Sequence, residues 1–279
     1  MTPQNPTTLK ELSSLIVAKL RSKSGELRAA FARPSIGRTR VAVIDDVLPP
    51  EIAKRIHDAF PPNEKMRLMS SFRERKYTSK SLEKMDQLIR HAVFAFQTPE
   101  VIAEVTGITG IRDMVGDPQL YAGGISAMTK GHFLNPHIDN SHDAEARRYR
   151  VLNLLYYVTP QWSTESGGNL ELWDEGVRQR LEIPSLFNRL VIMETNQTSF
   201  HSVNEVKADG SRYCVSNYYF SPYSPNSKEV FHITFFHGRP EQPLRRLFST
   251  ADGCARSIVR KLIRRGLGKK DLYTGKTGD

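Results

Sequence analysis

Short apolar runs separated by turn-forming residues fill the chain from about Gln119 onward, and this pattern restricts the fold more than any other feature. The runs are rich in Val, Ile, Leu, Tyr and Phe, with Gly, Pro, Asn and Asp between them. Many short strands with turn signals between them are typical of a sandwich or barrel. Periodicity alone does not separate a jelly roll from an immunoglobulin-like sandwich. The clearest runs are 151–158, 169–173, 190–193 and 212–220.

The N-terminal part has a different texture. Thr8 to Glu11 has the form of a capping box, and apolar residues follow at helical spacing between Leu9 and Leu20. This pattern predicts an opening helix. Residues 32–40 have the composition of a linker, and 41–44 form a short β-prone run.

Further helices are predicted between this run and the β-rich region. One follows Pro50, with Ile52, Ile56 and Phe60 on one face, and a second covers 81–97. Thr98-Pro99 begins a third, which Gly107 is predicted to end. The polar and basic segment 63–80 has no clear period, and we expect a mobile loop lying over a site.

The composition predicts a globular intracellular protein. Hydrophobic residues make up 39% of the chain, which is enough to bury a core. The two cysteines, Cys214 and Cys254, do not form a disulfide framework, so a reduced compartment is expected. Residues 1–20 lack the apolar run of a secretory signal, and no stretch is long enough to span a bilayer. We therefore expect a cytoplasmic protein.

The net charge of +10 favours an acidic partner or substrate, but charge alone does not predict nucleic-acid binding, which we do not expect. Near the C-terminus, 230–236 is predicted to be one more strand. An apolar stripe between Ala255 and Ile263, surrounded by Arg and Lys, predicts an amphipathic helix that Gly266 ends. This helix either packs on the barrel or contacts an anionic partner such as membrane lipid or a phosphorylated substrate.

A candidate metal site begins with His137 and Asp139. Residues at i and i+2 of an extended segment point the same way, so both side chains can bind one ion. His201, in a later β-prone segment, can complete the set. Two imidazoles and one carboxylate on one side of an octahedral ion suit non-haem Fe(II) oxygen chemistry.

Arg212 is the fourth candidate. On a strand it shares a face with Cys214, Ser216 and Tyr218. A guanidinium inside a small barrel is costly without an anionic partner, and a dicarboxylate co-substrate would supply one.

None of these residues is specific alone. A single His-x-Asp occurs by chance, a single His is more often structural, and a single Arg is more often a surface charge. The order His-x-Asp, His, Arg within one β-rich region is far more specific. His132 and His142 flank the motif and are rival assignments, His142 the stronger.

The segments around these residues resemble the prolyl 4-hydroxylase-like branch of the 2-oxoglutarate/Fe(II) oxygenases. The resemblance is nearest to the hypoxia-sensing and ribosomal-protein prolyl hydroxylases and their bacterial relatives. It covers about 41–221 and follows the family's order. It rests on 137–140, 150–157 with Trp162, 167–172, 183–190, 199–201 and 212–216.

The resemblance implies a mainly β fold with flanking helices, the double-stranded β-helix or jelly roll. It implies Fe(II) held by His137, Asp139 and His201, and 2-oxoglutarate held through its distal carboxylate by Arg212. Tyr157 and Ser216 match positions that hydrogen-bond the co-substrate in relatives, and Asn153 shares the register of Tyr157.

The implied activity is O2-dependent hydroxylation of an unactivated C–H bond, coupled to decarboxylation of 2-oxoglutarate to succinate and CO2. Ascorbate is a candidate reductant. Because Asp139 is present, hydroxylation is favoured over the halogenation of related enzymes that lack this carboxylate. The substrate is either a peptidyl, prolyl-like residue or a small metabolite. The long charged gap from Asp139 to Arg150 leaves this open, since such loops commonly contact substrate.

Two other functions are alternatives to the oxygenase. A zinc hydrolase would bind its metal through the same three ligands, but it would need a nearby general base and no buried Arg212. In a non-catalytic jelly-roll binding module, these residues would be incidental. The predicted organisation is a helical extension and linker over 1–40, the oxygenase domain over 41–225, and the C-terminal strand, basic helix and tail over 226–279.

Overall fold

A computed structural model describes residues 7–226, 230–242 and 273. Five α-helices form one layer, and they all come before the central strands of the sheet. The helices are α1 Leu9–Ser22, α2 Ser24–Phe31, α3 Pro50–Asp58, α4 Gln87–Ala95 and α5 Pro99–Thr109. Single 3₁₀ turns cover Asn63–Lys65, Leu82–Lys84 and Thr164–Ser166.

The second layer is a strongly curved antiparallel sheet. Its strands are β1 Pro34–Ile36, β2 Thr39–Ile44, β3 Arg67–Ser70, β4 Glu74–Thr78, β5 Gly124–Thr129, β6 Phe133–Ile138, β7 Tyr149–Tyr157, β8 Leu170–Trp173, β9 Arg180–Ile183, β10 Arg189–Glu194, β11 His201–Val203, β12 Ser211–Ser221 and β13 Phe235–Phe236. The spatial order is β1-β2-β10-β7-β12-β5-β4-β6-β11-β8-β9, with β3 beside β4 and β13 beside β6. The path is nearly closed like a barrel, and the predicted jelly roll is confirmed.

Strand β7 shows how the sheet separates its two faces. Leu152, Leu154 and Tyr156 point outward and join the large core shared with the helices. Leu155 and Tyr157 point the other way and help to line a second apolar cluster inside the barrel. Both faces are therefore buried, which explains why the sequence of this strand is apolar almost throughout rather than alternating.

The first helix begins where its sequence predicted. The Thr8 side chain accepts a hydrogen bond from the Glu11 backbone N–H at 3.1 Å, which satisfies a donor that the helix leaves free. Leu12, Ile16 and Leu20 are buried in the large core. This side-chain stripe fixes α1 against the rest of the helical layer.

Four local predictions are wrong. The linker 32–40 contains β1 and the start of β2. The loop 63–80 contains the β3–β4 hairpin, whose polar residues are ordered by pairing with β5 and β6. The helix over 81–97 is a 3₁₀ turn followed by α4, which Asp86 caps through the Leu88 N–H. Helix α5 continues past Gly107 to Thr109, because the left-handed residue that ends it is Gly110, at φ 70°.

The C-terminal predictions have different outcomes. The strand predicted over 230–236 is reduced to β13, two residues long. The basic helix predicted over 255–265 lies outside the described residues. Among the helices of the described segments, none is both long and apolar enough to cross a membrane.

Asn188 joins the helical layer to the sheet. Its Nδ2 donates to Leu48 O at 2.6 Å, and its Oδ1 accepts from the Leu48 N–H at 3.1 Å and the Tyr156 hydroxyl at 2.7 Å. The residue is fully buried and has φ 62°. Asn is favoured at positive φ, and each buried group left without a partner costs about 1–3 kcal/mol.

We expect Asn188→Ala to lower the free energy of unfolding by about 3 kcal/mol, measured by urea denaturation. Asp113 is a matched control, since it has φ 52° but an exposed side chain. Asp113→Ala should cost about 1 kcal/mol, from backbone strain alone. Equal losses in the two variants would show that the Asn188 hydrogen bonds contribute nothing.

Candidate metal centre

The sheet brings His137, Asp139 and His201 together. His137 lies near the end of β6 and is directly opposite His201 of β11, so both imidazoles point to the same face. Asp139 follows β6. The imidazole Nε2 atoms of His137 and His201 lie 3.8 Å and 3.7 Å from the Asp139 carboxylate oxygens. One ligand atom from each residue lies within 4.8 Å of the others, and no other such cluster occurs among the residues described.

Both imidazoles are oriented by the backbone. The Nδ1 atom of His137 is 3.0 Å from Asn135 O, and that of His201 is 3.0 Å from Ser199 O. In each ring Nδ1–H donates to the carbonyl, which leaves the Nε2 lone pair directed at the cluster. The same carbonyl two residues earlier serves both histidines, so the local strand geometry sets the tautomer.

The protonation states suit a divalent cation. Burial, followed by the neighbouring His201, lowers the pKa of His137 to about 3, so this imidazole is neutral at pH 7. Burial raises the pKa of the Asp139 carboxyl, but Arg150, His201 and His137 together outweigh burial and the pKa falls below its usual value. Two imidazoles and a carboxylate form the donor set of non-haem Fe(II) sites, and the residues present fit that ion.

Arg150 is a member of the site that the sequence analysis did not identify. Its side chain is buried, and Nη1 lies 3.4 Å from Asp139 Oδ1. The guanidinium also lies over the Tyr218 ring, 4.2 Å from the centroid. The sequence context of Arg150 indicates only the first residue of a strand. The charged segment between Asp139 and Arg150 has no sequence pattern that predicts a turn bringing these two side chains together.

Arg212 lies deeper inside the same barrel. It is buried, and within the described residues neither Nε nor Nη1 has a hydrogen-bond partner. Its Nη2 reaches Met128 Sδ at 2.9 Å, and thioether sulfur is a weak acceptor. A buried guanidinium that lacks a carboxylate partner is costly, so this position fits an anionic ligand.

A glycine gives Arg212 its space. Gly168 has φ 69°, and a Cβ there would lie 3.0 Å from Arg212 Cδ and 3.2 Å from Nε. Any larger residue would push the guanidinium aside and would also strain the backbone. The glycine-led start of β8 is therefore explained by the arginine opposite it.

The three candidate co-substrate residues all face the barrel interior but separate into two places. Tyr157 lies beneath Arg212, whose Cζ is 5.2 Å from its ring centroid. Ser216 Oγ is 3.7 Å from Cys214 Sγ on the same strand face as Arg212. Asn153 lies further along β7, where Nδ2 donates to the Tyr218 hydroxyl at 3.2 Å, beside Arg150 rather than Arg212.

The β3–β4 hairpin adds an ion pair that the loop prediction missed. Lys76 Nζ lies 3.0 Å from Glu74 Oε2, and both side chains are largely buried. The Lys76 charge contributes to lowering the pKa of His137 and Asp139. This strand therefore forms one wall of the candidate centre.

The rival histidines lie elsewhere. His132 packs against the Tyr77 ring, with centroids 5.2 Å apart, and His142 packs against Phe231 at 5.4 Å. Neither belongs to the metal-binding cluster found among the described residues.

Comparison with known proteins identifies a superfamily whose profile matches part of the chain. The profile described as the 2OG-Fe(II) oxygenase superfamily matches residues 123–220, which include the three candidate metal ligands and the four candidate co-substrate residues. Residues 123–220 therefore resemble this superfamily. The mouse (Mus musculus) prolyl 3-hydroxylase OGFOD1 is 36% identical to this chain over 87 residues, which are 29% of this chain and 16% of that protein. The Xenopus laevis protein of the same name is 38% identical over 84 residues. The chain thus spans about a sixth of these relatives.

Solved structures support the oxygenase fold. A Pseudomonas putida prolyl-4-hydroxylase superposes with a TM-score of 0.50 at 13% identity, covering 70% of this chain and 98% of the other. The carbocyclase SnoK from nogalamycin biosynthesis gives a TM-score of 0.54 at 13% identity, covering 75% and 90%. At these identities the likeness concerns the fold alone. The matched profile supports the predicted superfamily, and prolyl hydroxylases are among the relatives and structures that match.

Proposed function

We propose that this chain is an Fe(II)- and 2-oxoglutarate-dependent dioxygenase that hydroxylates an unactivated C–H bond. One observation carries the proposal. Arg212 lies in the same barrel as the His-Asp-His cluster, and its buried Nε and Nη1 atoms have no hydrogen-bond partner among the described residues. The cluster alone would serve several metals. The added site for a carboxylate selects an oxygenase that uses a dicarboxylate co-substrate.

Each residue has a defined part in the proposal. His137, Asp139 and His201 hold the iron through Nε2, a carboxylate oxygen and Nε2. Arg212 holds the distal carboxylate of 2-oxoglutarate, and Tyr157 and Ser216 lie where they can hydrogen-bond it. Asn153 is the weakest of the four co-substrate predictions, because its amide already contacts Tyr218. We assign it to the substrate side of the cavity.

Iron loaded with 2-oxoglutarate and O2 supplies the oxidation, in which 2-oxoglutarate is converted to succinate and CO2. The chain orients these reactants and excludes water. Tyr157, Leu172 and Met193 are almost wholly buried inside the barrel, so the interior around the guanidinium is apolar. A dry interior strengthens the electrostatic contact of Arg212 with a carboxylate.

The substrate is a prolyl-like residue of a peptide or a small metabolite. The sequence relatives are prolyl 3-hydroxylases, which supports the peptide class. The zinc hydrolase is less well supported, because Glu74, a carboxylate whose charge interacts with His137, is already paired with Lys76 and is not a free general base. Ascorbate as reductant, a cytoplasmic location and the proposed domain boundaries stay predictions.

The test is anaerobic reconstitution of the full chain with Fe(II) and 2-oxoglutarate, followed by O2. We expect succinate formation that requires all three and is stimulated by a substrate which gains one oxygen atom by mass spectrometry. Proline-containing peptides and small metabolites form the two substrate panels. The His201→Ala variant, which lacks a proposed iron ligand, is the negative control.

The alternatives give different results. Turnover of a hydrolysable substrate that survives replacement of iron by zinc would favour the hydrolase. Failure to produce succinate by iron-loaded protein that nevertheless binds 2-oxoglutarate would favour a binding module.

A further inference from the structure

Residues 230–242, here called the C-terminal strap, lie beyond the family-matched region 123–220 yet run directly along the metal-binding strand. Within the strap, β13 pairs with β6 so that Phe236 is opposite His137. The His237 N–H donates to Pro136 O at 2.7 Å, and the His232 N–H donates to Ser141 Oγ at 2.7 Å. The strap is thus hydrogen-bonded on both sides of His137 and Asp139.

Phe236 is the part of the strap that reaches the metal centre. Because it is paired directly with His137, its side chain lies on the same face of the sheet. The two rings are stacked, with centroids 5.1 Å apart and planes 19° apart. Phe236 is buried and packs with Leu134 and Val203. The His137 imidazole is therefore fixed at Nδ1 by a carbonyl and on its face by an aromatic ring.

The strap is also tied to the strand next to the other imidazole. Arg239 Nη2 lies 2.6 Å from Glu171 Oε2 and donates to Val203 O at 3.2 Å. Glu171 is almost fully buried, and it also accepts from the Ser202 hydroxyl. Ser202 and Val203 follow His201 in β11. One segment thus links the strands that carry both histidines.

We propose that the C-terminal strap completes the metal centre, with Phe236 as the positioning residue that holds the His137 imidazole in its ligating orientation. The inference rests on the proposed function because it takes His137 as a metal ligand. The imidazole χ2 angle is otherwise only broadly restricted. A ring fixed before metal binding loses less freedom on binding, and partners of metal ligands typically change metal affinity 10- to 100-fold.

The experiment compares Phe236→Leu with Phe235→Leu in the full chain. Phe235 is the matched control, because it is the neighbouring strand residue and contacts Phe200 rather than a metal ligand. Co(II) is the probe, measured by competition with a chromophoric chelator and by its visible absorption. We expect about 10-fold weaker Co(II) binding and an altered spectrum for Phe236→Leu. Phe235→Leu should stay within about twofold of the unaltered chain, and Phe236→Tyr, which keeps a ring, should restore most of the affinity.

Urea unfolding of the metal-free variants separates positioning from stability. Both Phe→Leu changes should lower the unfolding midpoint, Phe236→Leu more because its ring is buried and that of Phe235 is half-buried, while only Phe236→Leu weakens Co(II) binding. Equal Co(II) affinity in Phe236→Leu and the unaltered chain would overturn the positioning role. If the unaltered chain itself fails to bind Co(II), the metal centre is wrong and the proposed function fails with it.

A second variant covers the case in which Phe236→Leu does not fold. Arg239→Lys keeps a cation beside Glu171 but replaces the planar guanidinium, whose Nη2 reaches both Glu171 Oε2 and Val203 O, with a shorter, tetrahedral ammonium. Among the described residues Arg239 contacts no candidate ligand, so it acts on the metal centre indirectly, by holding the strap against Ser202 and Val203 of β11. We expect a loss of Co(II) affinity of about threefold, a fraction of the effect of a direct ligand partner. Unchanged affinity would argue against the strap as part of the centre.

Discussion

Replacing Arg212 by methionine is expected to weaken 2-oxoglutarate binding at least 100-fold without destabilising the metal-free protein. Truncating one member of a buried charge pair typically costs 2–5 kcal/mol of binding, and about 1.4 kcal/mol is tenfold. In the metal-free chain, however, Nε and Nη1 have no hydrogen-bond partner among the described residues. Removing a buried charge without a partner should leave folding stability unchanged or raise it by about 1–3 kcal/mol.

Arg40 is the matched control for this result. Its guanidinium is half-buried and, unlike that of Arg212, has a carboxylate partner within the chain, with Nε 2.7 Å from Glu194 Oε2 and Nη2 2.6 Å from Oε1. Arg40→Met should therefore lower folding stability and leave 2-oxoglutarate affinity intact, the reverse of Arg212→Met. Calorimetric titration of 2-oxoglutarate into anaerobic Mn(II)-loaded protein measures the first quantity, and urea unfolding measures the second.

Arg212→Lys separates the contribution of the positive charge to 2-oxoglutarate binding from that of the guanidinium shape. A lysine keeps the charge but loses the planar fork, so its 2-oxoglutarate affinity should fall between those of the arginine and the methionine. The space that Gly168 leaves is shaped around Arg212 Cδ and Nε, which lysine fills less well. Unchanged 2-oxoglutarate affinity in Arg212→Met would remove Arg212 from its proposed role, whatever the lysine variant does.

The sequence predicted those features whose cause is local. Thr8 and Glu11 are three residues apart, and their cap forms as the sequence requires. His137 and Asp139 are two residues apart on an extended segment, which is enough to put both side chains on one face. The alternation of apolar and turn residues was enough to predict a jelly roll once the resemblance supplied its topology.

The missed features depend on partners that are distant in the chain. The β3–β4 hairpin is polar and has no period of its own, since β4 is defined by pairing with β5 and β6, and β3 by pairing with β4. Strand β13 has only two residues, too few for any pattern, and its position is set by β6. Arg150 and Asp139 meet because a turn between them is closed by the bridge from His142 to Tyr149. None of these pairings leaves a signal in the local residues.

Asp139→Ala is expected to eliminate metal binding and also to destabilise the metal-free fold, whereas His201→Ala should eliminate metal binding alone. Both residues are candidate ligands, so either change should remove succinate formation. Asp139 differs because its carboxylate lies 3.4 Å from the guanidinium of Arg150, which is buried. Breaking a buried ion pair by removing one partner costs about 3–5 kcal/mol, because the remaining charge is left uncompensated.

Arg150 also makes the origin of that loss testable. The double variant Asp139→Ala/Arg150→Met removes both charges and leaves an apolar chain to pack on Tyr218, which the guanidinium now covers at 4.2 Å. Its free energy of unfolding should return to within about 1 kcal/mol of the unaltered chain, since replacing a whole buried pair is often neutral. Succinate formation should stay at zero. A double variant as unstable as Asp139→Ala would mean that the carboxylate supports the fold through contacts other than Arg150. A single variant as stable as the unaltered chain would mean that the pair contributes nothing before metal binds.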